Sequence, residues 1–573
     1  MPTIRMRVLA LGTLALAAGP VLAQVTPDRR LVETVQVGVV NVEVYVTDRD
    51  GAPLRGLTRD DFVLEEDGQE VPITNFYASE AMLALETPTP RTDKDAAAPS
   101  PPHAALIPEE HGLTVVFFID SLNTTVRQRR PVIEQLERFV VERLRPGDRA
   151  MVVSFDTALR VRSPLSTDRE TLLSALREVG REMATADSLH RDRQDILVRM
   201  MEPMDPGARR PNPINPMCIE GDQLNPETCY AIEAFAERLY RLNRNLVDAL
   251  VRHLDACAGL PGRKALVFVS TGIPVHPAED LFLIAWLRPK RFTTLGNELG
   301  RISVRANAGR VSFYPVNARG DQELAGLNAS NELSRFIAEH SFQQLVIQAD
   351  QTDFSQRQET LTDFAVGTGG RSLIASPSLG TALAQLVEDF GAFYSLGFSP
   401  EHFGDGRYHT LKVRVLVPGA KVRHREGYLD KSDAQRLADR TAGALLAAPR
   451  NNTLSLRVTA EPPRKDAGKL VSTLTVTVPA GELTLVPGVD STGEEGRVTI
   501  VITATDPDGR TTDAHQETFP IKVPAEALPS FLQGSTRYTF DILMRKGLHK
   551  VSVTVRDDVA LNEGTATLAI DAR

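Results

Sequence analysis

The N-terminal part of the chain carries a hydrophobic pattern of period two. Between Val35 and Val46, valine occupies nearly every second position, which is typical of a β-strand. Further along, two short apolar runs flank Asp67 and Gly68, a dipeptide that favours a tight hairpin turn. These patterns predict a small N-terminal β-rich module over residues 31–82.

From Leu113 onward, apolar runs of strand length alternate with helical periodicity. Leu113–Ile119 is almost continuously apolar, as in a strand that is buried on both faces of a parallel sheet. Similar runs recur at 150–155, 265–270, 311–316 and 393–398. Helical patterns with apolar residues at steps of three or four lie between several of them. The alternation predicts a central α/β doubly wound domain over residues 113–430, with a polar, Pro-rich insertion at about 184–229.

The remaining internal segments differ in composition. Residues 83–112 are rich in proline and alanine and predict an extended linker. Residues 431–449 carry a helical pattern and predict a helical connector. From 450 to 573 the chain consists of short apolar runs separated by turn residues, which predicts a C-terminal all-β sandwich domain.

The first residues have the pattern of an export signal. Arg5 and Arg7 precede the apolar run Val8–Ala18, and Ala23 ends a small-residue cleavage motif. Residues 1–23 are therefore predicted to be a signal peptide, and the protein to be exported, either periplasmic or extracellular. An uncleaved anchor is the alternative, although the apolar run is short for a membrane span. We expect no integral membrane segment after signal cleavage.

Composition narrows the possible functions and the disulfide chemistry. The net charge of −9 gives no positive field that would attract nucleic acid, so no nucleic-acid partner is expected.

Three cysteines do not make a disulfide scaffold. Cys218 and Cys229 bracket a short segment, and a bridge between them is predicted in an oxidising compartment, with free thiols as the alternative. Cys257 lies in an apolar helical pattern and is expected to be a buried hydrophobe.

Several ordered motifs in the central region resemble one protein family. They are Val115–Thr124, Ala150–Phe155, Leu165–Asp168 and Arg263–Gly272. In this order they resemble a von Willebrand factor type A (vWA) domain. The segments Gly56–Phe62, Ser312–Arg319, Gly367–Gly370, Phe393–Pro400 and Arg423–Tyr428 resemble the exported bacterial, acidobacterial VWFA-related subgroup. The resemblance covers about residues 35–430 and implies a Rossmann-like vWA fold.

The resemblance also implies a metal-ion-dependent adhesion site, which this sequence keeps only in part. Asp120 matches the first aspartate of the family's Asp-x-Ser-x-Ser loop, and Thr124 stands at the last serine. Leu122 replaces the first serine, and Thr271 stands where the third loop normally carries aspartate. No second-loop threonine can be assigned around 179–185. The expectation is a degenerate site at Asp120 and Thr124 and no cofactor, with Mg²⁺ or Mn²⁺ as the alternative.

Two interpretations of this loop remain open. In one, the loop forms part of a ligand-binding face, made of Asp120, Ser121, Asn123, Thr124 and Thr271. In the other, Asp120 and Thr124 cap the following helix and shape the strand-to-helix turn.

Other polar groups carry weaker signals. His402, His409 and His424 are expected to be strand-surface histidines, and 367–370 a turn that needs positive φ rather than a phosphate cradle. The aspartates Asp506, Asp508 and Asp513 are expected in a β-turn rather than a calcium loop. The arginines at 127, 129 and 130 are expected to be solvated.

The sequence contains no nucleophile elbow, phosphate loop or zinc-protease motif. The preferred hypothesis is therefore an exported, non-enzymatic binding protein whose vWA-like domain contacts another protein, as an adhesion or scaffold component. The alternatives are a hydrolase with a site assembled from loops, and a structural envelope protein that self-associates through its β domains.

Overall fold

The computed structural model describes residues 38–79, 113–201, 218–219, 222–223, 226–285, 294–319, 343–373, 379–447, 452–488, 493–507 and 509–573. The predicted signal peptide and linker lie outside these ranges. The chain divides into two compact units. The central unit comprises 41–398 and 407–429, and the second unit contains 399–406 and 430–573.

The strands of the central unit are β1 (Val40–Thr47), β2 (Phe62–Glu66), β3 (Gln69–Val71), β4 (Asn75–Ala78), β5 (Thr114–Asp120), β6 (Arg149–Phe155), β7 (Leu159–Ser166), β8 (Cys218–Ile219), β9 (Asp222–Gln223), β10 (Lys264–Ser270), β11 (Val311–Asn317), β12 (Tyr394–Phe398), β13 (Tyr408–Val415), β14 (Lys421–His424) and β15 (Gly427–Leu429). Its helices are α1 (Val126–Glu142), α2 (Arg169–Arg181), α3 (Thr185–Met201), α4 (Pro226–Ala258), α5 (Glu279–Ala285), α6 (Gly296–Ala308), α7 (Gln343–Gly367) and α8 (Leu379–Gly391).

The main sheet is mixed, with the strand order β11-β10-β5-β6-β7. The pairs β11–β10, β10–β5 and β5–β6 are parallel, and β7 joins the edge antiparallel to β6. Every residue of β5 and of β10 is buried, which explains the lack of polar alternation in the sequence. The strand β7 was not predicted, because its pattern of buried and exposed residues is irregular.

Side chains of the main sheet pack on both of its faces. Val115, Phe117 and Ile119 join one hydrophobic cluster with residues of α1, α2 and α8. On the alternate positions, the Phe118 ring lies 5.5 Å from that of Phe268, between ring centroids. Successive side chains of a strand point to opposite faces, so these rings lie on the second face, where Phe364 of α7 packs against Phe268 with 6.2 Å between ring centroids. This observation supports a mixed α/β unit.

The N-terminal strands do not form a sheet of their own. β1 and β4 join β12 and β14 in the order β14-β1-β12-β4. β2 and β3 join β13 and β15 in the order β15-β13-β2-β3. The sequence predicted a separate module over 31–82, and the described part of that segment is instead divided between two sheets of the central unit. β1, β2 and β4 find hydrogen-bonding partners in 394–429, which sequence-local patterns cannot reveal. β3 pairs with β2 across the turn at Asp67 and Gly68, as the hairpin signal predicted.

The second unit is built from antiparallel sheets. Its strands are β16 (Arg457–Ala460), β17 (Arg464–Asp466), β18 (Lys469–Pro479), β19 (Val486–Pro487), β20 (Gly493–Thr505), β21 (His515–Pro524), β22 (Ser535–Met544), β23 (Gly547–Asp557) and β24 (Glu563–Ala572), and its helices are α9 (Asp433–Gly443) and α10 (Leu528–Leu532). Residues from both sheets share one hydrophobic core, as the predicted sandwich requires.

The predicted connector helix is part of this second unit rather than a free link. Thr441 of α9 donates a hydrogen bond to Thr554 of β23 at 2.8 Å, and Arg440 pairs with Glu563. Ser432 caps the helix by accepting from the backbone N–H of Gln435. Across the described parts of the chain, no helix is both long enough and apolar enough to cross a membrane.

Candidate binding edge of the sheet

The strand order creates one place where the loops of the main sheet diverge. β6 and β7 lie on one side of β5, and β10 and β11 lie on the other. In open α/β sheets, ligands bind outside the carboxyl ends of the strands at such a switch point. Asp120 ends β5 and Ser270 ends β10, so the two residues flank this point. We call the loops 120–125, 182–185 and 270–272 the carboxyl edge.

Asp120 is the centre of a closed hydrogen-bond network. Its Oδ1 accepts the backbone N–H groups of Leu122 and Asn123, each at 3.1 Å. Its Oδ2 accepts the Asn123 side-chain amide at 2.9 Å and the Ser270 hydroxyl at 2.7 Å. Burial raises the pKa of the fully buried Asp120 carboxyl, although these four hydrogen bonds favour its ionised form. The carboxylate thus joins the ends of β5 and β10.

The helix cap lies one residue beyond the predicted residues. Thr125 caps α1 by accepting from Gln128 N–H at 3.3 Å, and the Gln128 side chain accepts from Thr125 N–H in return. Thr124 donates its hydroxyl to the carbonyl of Asp120. The prediction that Asp120 and Thr124 cap the helix is therefore corrected. They shape the turn, and Thr125 performs the capping.

The predicted ligand-binding face is largely inside the protein. Asp120, Ser121, Thr124 and Thr271 are buried, and only Asn123 is partly exposed. Thr271 donates its hydroxyl to the Asn123 carbonyl at 2.7 Å. The structure therefore brings the five predicted residues together, but most of them support the loops of the carboxyl edge from inside. Of these five residues, only Asn123 presents a partly exposed side chain to a ligand.

Arg357 of α7 completes the network, and no sequence motif pointed to it. Its Nη1 donates to the Gly272 carbonyl at 2.9 Å, and its Nε donates to Asp353 at 2.8 Å. Gly272 has φ +95°, and a Cβ there would lie 2.3 Å from the Arg357 carbonyl oxygen. The close approach of α7 therefore requires glycine at this position.

Arg129 of α1 ties the first helix to the loop at 182–185. Its side chain is completely buried, in contrast to the predicted solvated run of arginines. The guanidinium donates to the carbonyls of Thr124 at 3.2 Å and Val179 at 3.1 Å, and also to that of Glu182. One side chain thus bonds to the carbonyl before α1 and to two carbonyls at the end of α2. This fixes the positions of the two segments relative to each other.

Thr185, at the end of the segment where the sequence offered no second-loop ligand, has a structural role. Thr185 begins α3, and its backbone N–H and hydroxyl donate to the carboxylate of Asp156 at 2.8 and 2.9 Å. Asp156 directly follows β6. This hydroxyl therefore anchors α3 to the carboxyl edge.

The residues present do not fit the metal that the family resemblance implies. A divalent cation needs several oxygen lone pairs directed at one point. Four N–H or O–H groups already point at the oxygens of Asp120, and the guanidinium of Arg357 lies beside Asn123. Among the residues that the structure describes, no cluster of three acidic, histidine or cysteine ligands includes Asp120. The donor set supports a hydrogen-bonded loop rather than an adhesion-type metal site.

The weaker candidates have structural partners. His409 contacts Asp67 at 2.8 Å, and His424 accepts the Val413 backbone N–H at 3.1 Å, with burial lowering the His424 pKa. His402 lies 3.5 Å from Asp430. Asp506 closes the expected turn by accepting from Arg510 N–H at 2.8 Å, whereas Asp508 lies outside the described part of the chain.

The cysteines behave differently from one another. Cys229 is disulfide-bonded, which agrees with the predicted bridge, while the side chain of Cys218 lies outside the described residues. Cys257 is free and buried, as expected, and burial raises its thiol pKa to about 12.

Comparisons with known proteins give little further support. No family model and no curated protein matches the chain. A Northeast Structural Genomics Consortium target, SoR45, is 12% identical over 21% of this chain and 86% of its own, with a TM-score of 0.14. A conserved hypothetical protein, BatB, from Bacteroides thetaiotaomicron is 14% identical over 40% of this chain and 98% of its own, with a TM-score of 0.15.

A β-glucuronidase from Bacteroides uniformis is 9% identical over 31% of this chain and 19% of its own length, with a TM-score of 0.14. Scores at this level establish neither a family nor a function for the chain.

Proposed function

We propose that this protein is an exported binding protein whose central unit is a vWA-like domain that contacts another protein through the carboxyl edge, without a metal ion. The observation that carries the proposal is the closed network around Asp120 at the switch point of the main sheet.

The strand order of the main sheet supports the vWA-like interpretation. Four parallel strands and one antiparallel edge strand follow the order β11-β10-β5-β6-β7, with the first strand of the sheet at its centre. This is the arrangement of a doubly wound fold, in which the connections run outward from a central strand. The loops after β5 and β10 are then the expected ligand loops.

The chemistry of the carboxyl edge supports binding by shape. A fully satisfied polar network makes its backbone rigid, and a rigid loop loses little conformational entropy when a partner binds. Beside the network, Met183 lies in the loop between α2 and α3 with 75% of its surface exposed. Methionine adapts to irregular apolar surfaces and is frequent at interfaces. Met183 is therefore the side chain that we expect to enter the interface.

The test is capture of partners from envelope extract by the purified mature protein. We expect wild-type protein to capture a partner equally in Mg²⁺ and in EDTA, and Met183→Glu to lose most of that capture. Val141→Glu is the matched control, because Val141 is also exposed, at 52%, but lies in the last turn of α1, about 20 Å along the helix from the carboxyl edge. Equal capture by the two variants, or loss of capture in EDTA, would contradict the proposal.

A further inference from the structure

A small basic cavity lies at the opposite edge of the main sheet. Arg263 precedes β10 and Arg310 precedes β11, so both stand at the amino ends of these strands. Together with Glu43 of β1 and Arg425, which follows β14, they line a cavity of about 20 Å³. Thr368 and Gly369, from the turn at 367–370, form part of its wall. We call this cavity the amino-edge cavity.

The cavity has more positive than negative charge. Three guanidinium groups face one carboxylate, and Arg310 forms an ion pair with Glu43. Burial by itself would raise the pKa of Glu43, but Arg310, Arg425 and Arg263 outweigh burial and lower this pKa to about 2. Glu43 is therefore ionised at neutral pH, and its single charge offsets one of the three arginines.

Two of the arginines keep a donor without a partner. Arg425 is only 8% exposed, and its two terminal nitrogens donate to the carbonyls of Asn307 at 3.0 Å and Asn41 at 2.7 Å. Its Nε is buried and has no hydrogen-bond partner within the described ranges. Arg263 donates its Nη2 to the Phe390 carbonyl at 2.8 Å, while its buried Nη1 likewise has none.

The turn at 367–370 holds one wall of the cavity close to these arginines. Gly369 has φ +69°, and a Cβ on it would lie 2.6 Å from the backbone nitrogen of Arg425. Gly370 packs so closely that a Cβ would lie 1.9 Å from the Phe313 carbonyl oxygen. The glycines therefore serve a tight turn, as expected from the sequence, and that turn also encloses a pocket with unpaired cationic donors.

Size and charge together identify the class of ligand. A cavity of about 20 Å³ has room for one small body, which favours a monatomic ion or a water molecule over phosphate or sulfate. A buried cationic donor without a partner is costly, and an anion offsets this cost better than a neutral molecule does. We infer that the amino-edge cavity binds one monatomic anion of the size of chloride, held by Arg263 and Arg425. Water is the competing occupant, since Asn307 Oδ1 in the wall is an unpartnered acceptor within the described ranges.

The experiment measures thermal unfolding of the full mature chain while sodium chloride replaces sodium gluconate at constant ionic strength. Because the ionic strength is constant, ionic screening is the same at every point, and gluconate is too large to enter the cavity. We expect the unfolding temperature of the wild-type protein to rise with chloride and to saturate, because chloride binds only the folded state. Arg263→Gln removes one donor and should raise the half-saturating chloride concentration about tenfold.

The matched control is Arg238→Gln. Arg238 lies on α4, outside the cavity, in an exposed ion pair with Asp192. This variant removes the same charge and should keep the wild-type chloride curve. Should Arg263→Gln fail to fold, crystals of the wild-type protein soaked in bromide give a separate readout, with an anomalous peak expected beside Arg425 Nε. Identical unfolding in chloride and gluconate, or a cavity without an anomalous peak, would overturn the inference in favour of water.

Discussion

The two edges of the main sheet handle buried charge in opposite ways. At the carboxyl edge, one carboxylate receives four hydrogen bonds and joins β5 to β10. At the amino edge, three guanidinium groups face one carboxylate, and two of their donors lack a partner within the described residues. Both edges rest on the same strands, so the difference comes from the loops and from the small sheets that pack there.

This difference shows which kind of recognition each edge can support. A closed network such as that of Asp120 has no acceptor capacity left for a ligand and is best suited to hold a surface in shape. A pocket with excess charge and unused donors gains free energy when a counter-charge enters. A resemblance to vWA domains directs attention to the carboxyl edge, whereas the unsatisfied chemistry lies at the amino edge.

The largest expected effect comes from removing the centre of the closed network. Asp120→Ala removes the acceptor of four donors, two of them on the partly exposed Asn123, and should lower the free energy of unfolding by about 4 kcal/mol. Asp120→Asn keeps one acceptor oxygen and should cost less. Urea denaturation followed by circular dichroism measures both. A loss below about 1 kcal/mol in Asp120→Ala would mean that the network does not hold the carboxyl edge.

At the amino edge, the informative change removes the negative charge. Glu43→Gln leaves the buried Arg425 and the partly exposed Arg263 and Arg310 without a carboxylate, and should lower the free energy of unfolding by about 3 kcal/mol. Chloride should restore more stability to this variant than to the wild-type protein, because the net positive charge around the cavity is larger without the Glu43 carboxylate. An equal gain in both proteins would contradict the excess-charge description of the amino edge.

The two edges should also respond to pH with opposite sign. Glu43 has a pKa lowered from 4.5 to about 2, so the stability it contributes is present above pH 4.5 and is lost as the pH falls towards 2. Burial raises the pKa of Asp120 above 3.8, so the folded state keeps this proton to a higher pH than the unfolded chain does. The stability that Asp120 contributes is therefore present below pH 3.8 and is lost as the pH rises through the raised pKa.

Unfolding free energies of wild type, Glu43→Gln and Asp120→Asn between pH 2.5 and 7 separate the two contributions. The wild-type advantage over Glu43→Gln should shrink on acidification by up to about 1.4 kcal/mol per pH unit. The difference between wild type and Asp120→Asn should change in the opposite direction. Parallel curves for all three proteins would show that neither carboxyl group has a perturbed pKa.

The smallest expected effect concerns the link from α7 to the carboxyl edge. Arg357→Met keeps the apolar stem and removes the hydrogen bond to the Gly272 carbonyl, which should cost about 1 kcal/mol. The control Arg301→Met breaks an exposed ion pair with Asp248 and should change stability by less than about 0.5 kcal/mol. Equal effects would place Arg357 among ordinary surface arginines.

Much of the fold could be predicted because its signals are local. Continuous apolar runs revealed β5 and β10, and a run of helical periodicity revealed α1. The pairing of the N-terminal strands could not be predicted, because β1 and β14 are adjacent only in three dimensions and Val44 pairs with His424. A strand pattern indicates that a partner exists, but it does not indicate which strand the partner is.

The site was predicted in part for the same reason. Asp120 and Thr271 were singled out because the vWA resemblance places them where two recognisable strands end, and the structure brings their loops together. Arg129 looked like part of a solvated charge run, and only packing shows that it is buried. Arg357 and the arginines of the amino-edge cavity converge from distant segments. No spacing rule connects residues that meet through tertiary structure alone.

The pairing of β1 with β12 and β14 has a consequence for how the chain is made. A strand near the start of the polypeptide cannot complete its sheets until residues close to 429 have been synthesised. Contacts between such distant segments slow folding, and a waiting strand exposes an unpaired edge that is prone to aggregation. For a chain that we propose to be exported, we expect this delay to favour an unfolded polypeptide during translocation and chaperones to protect its first strands.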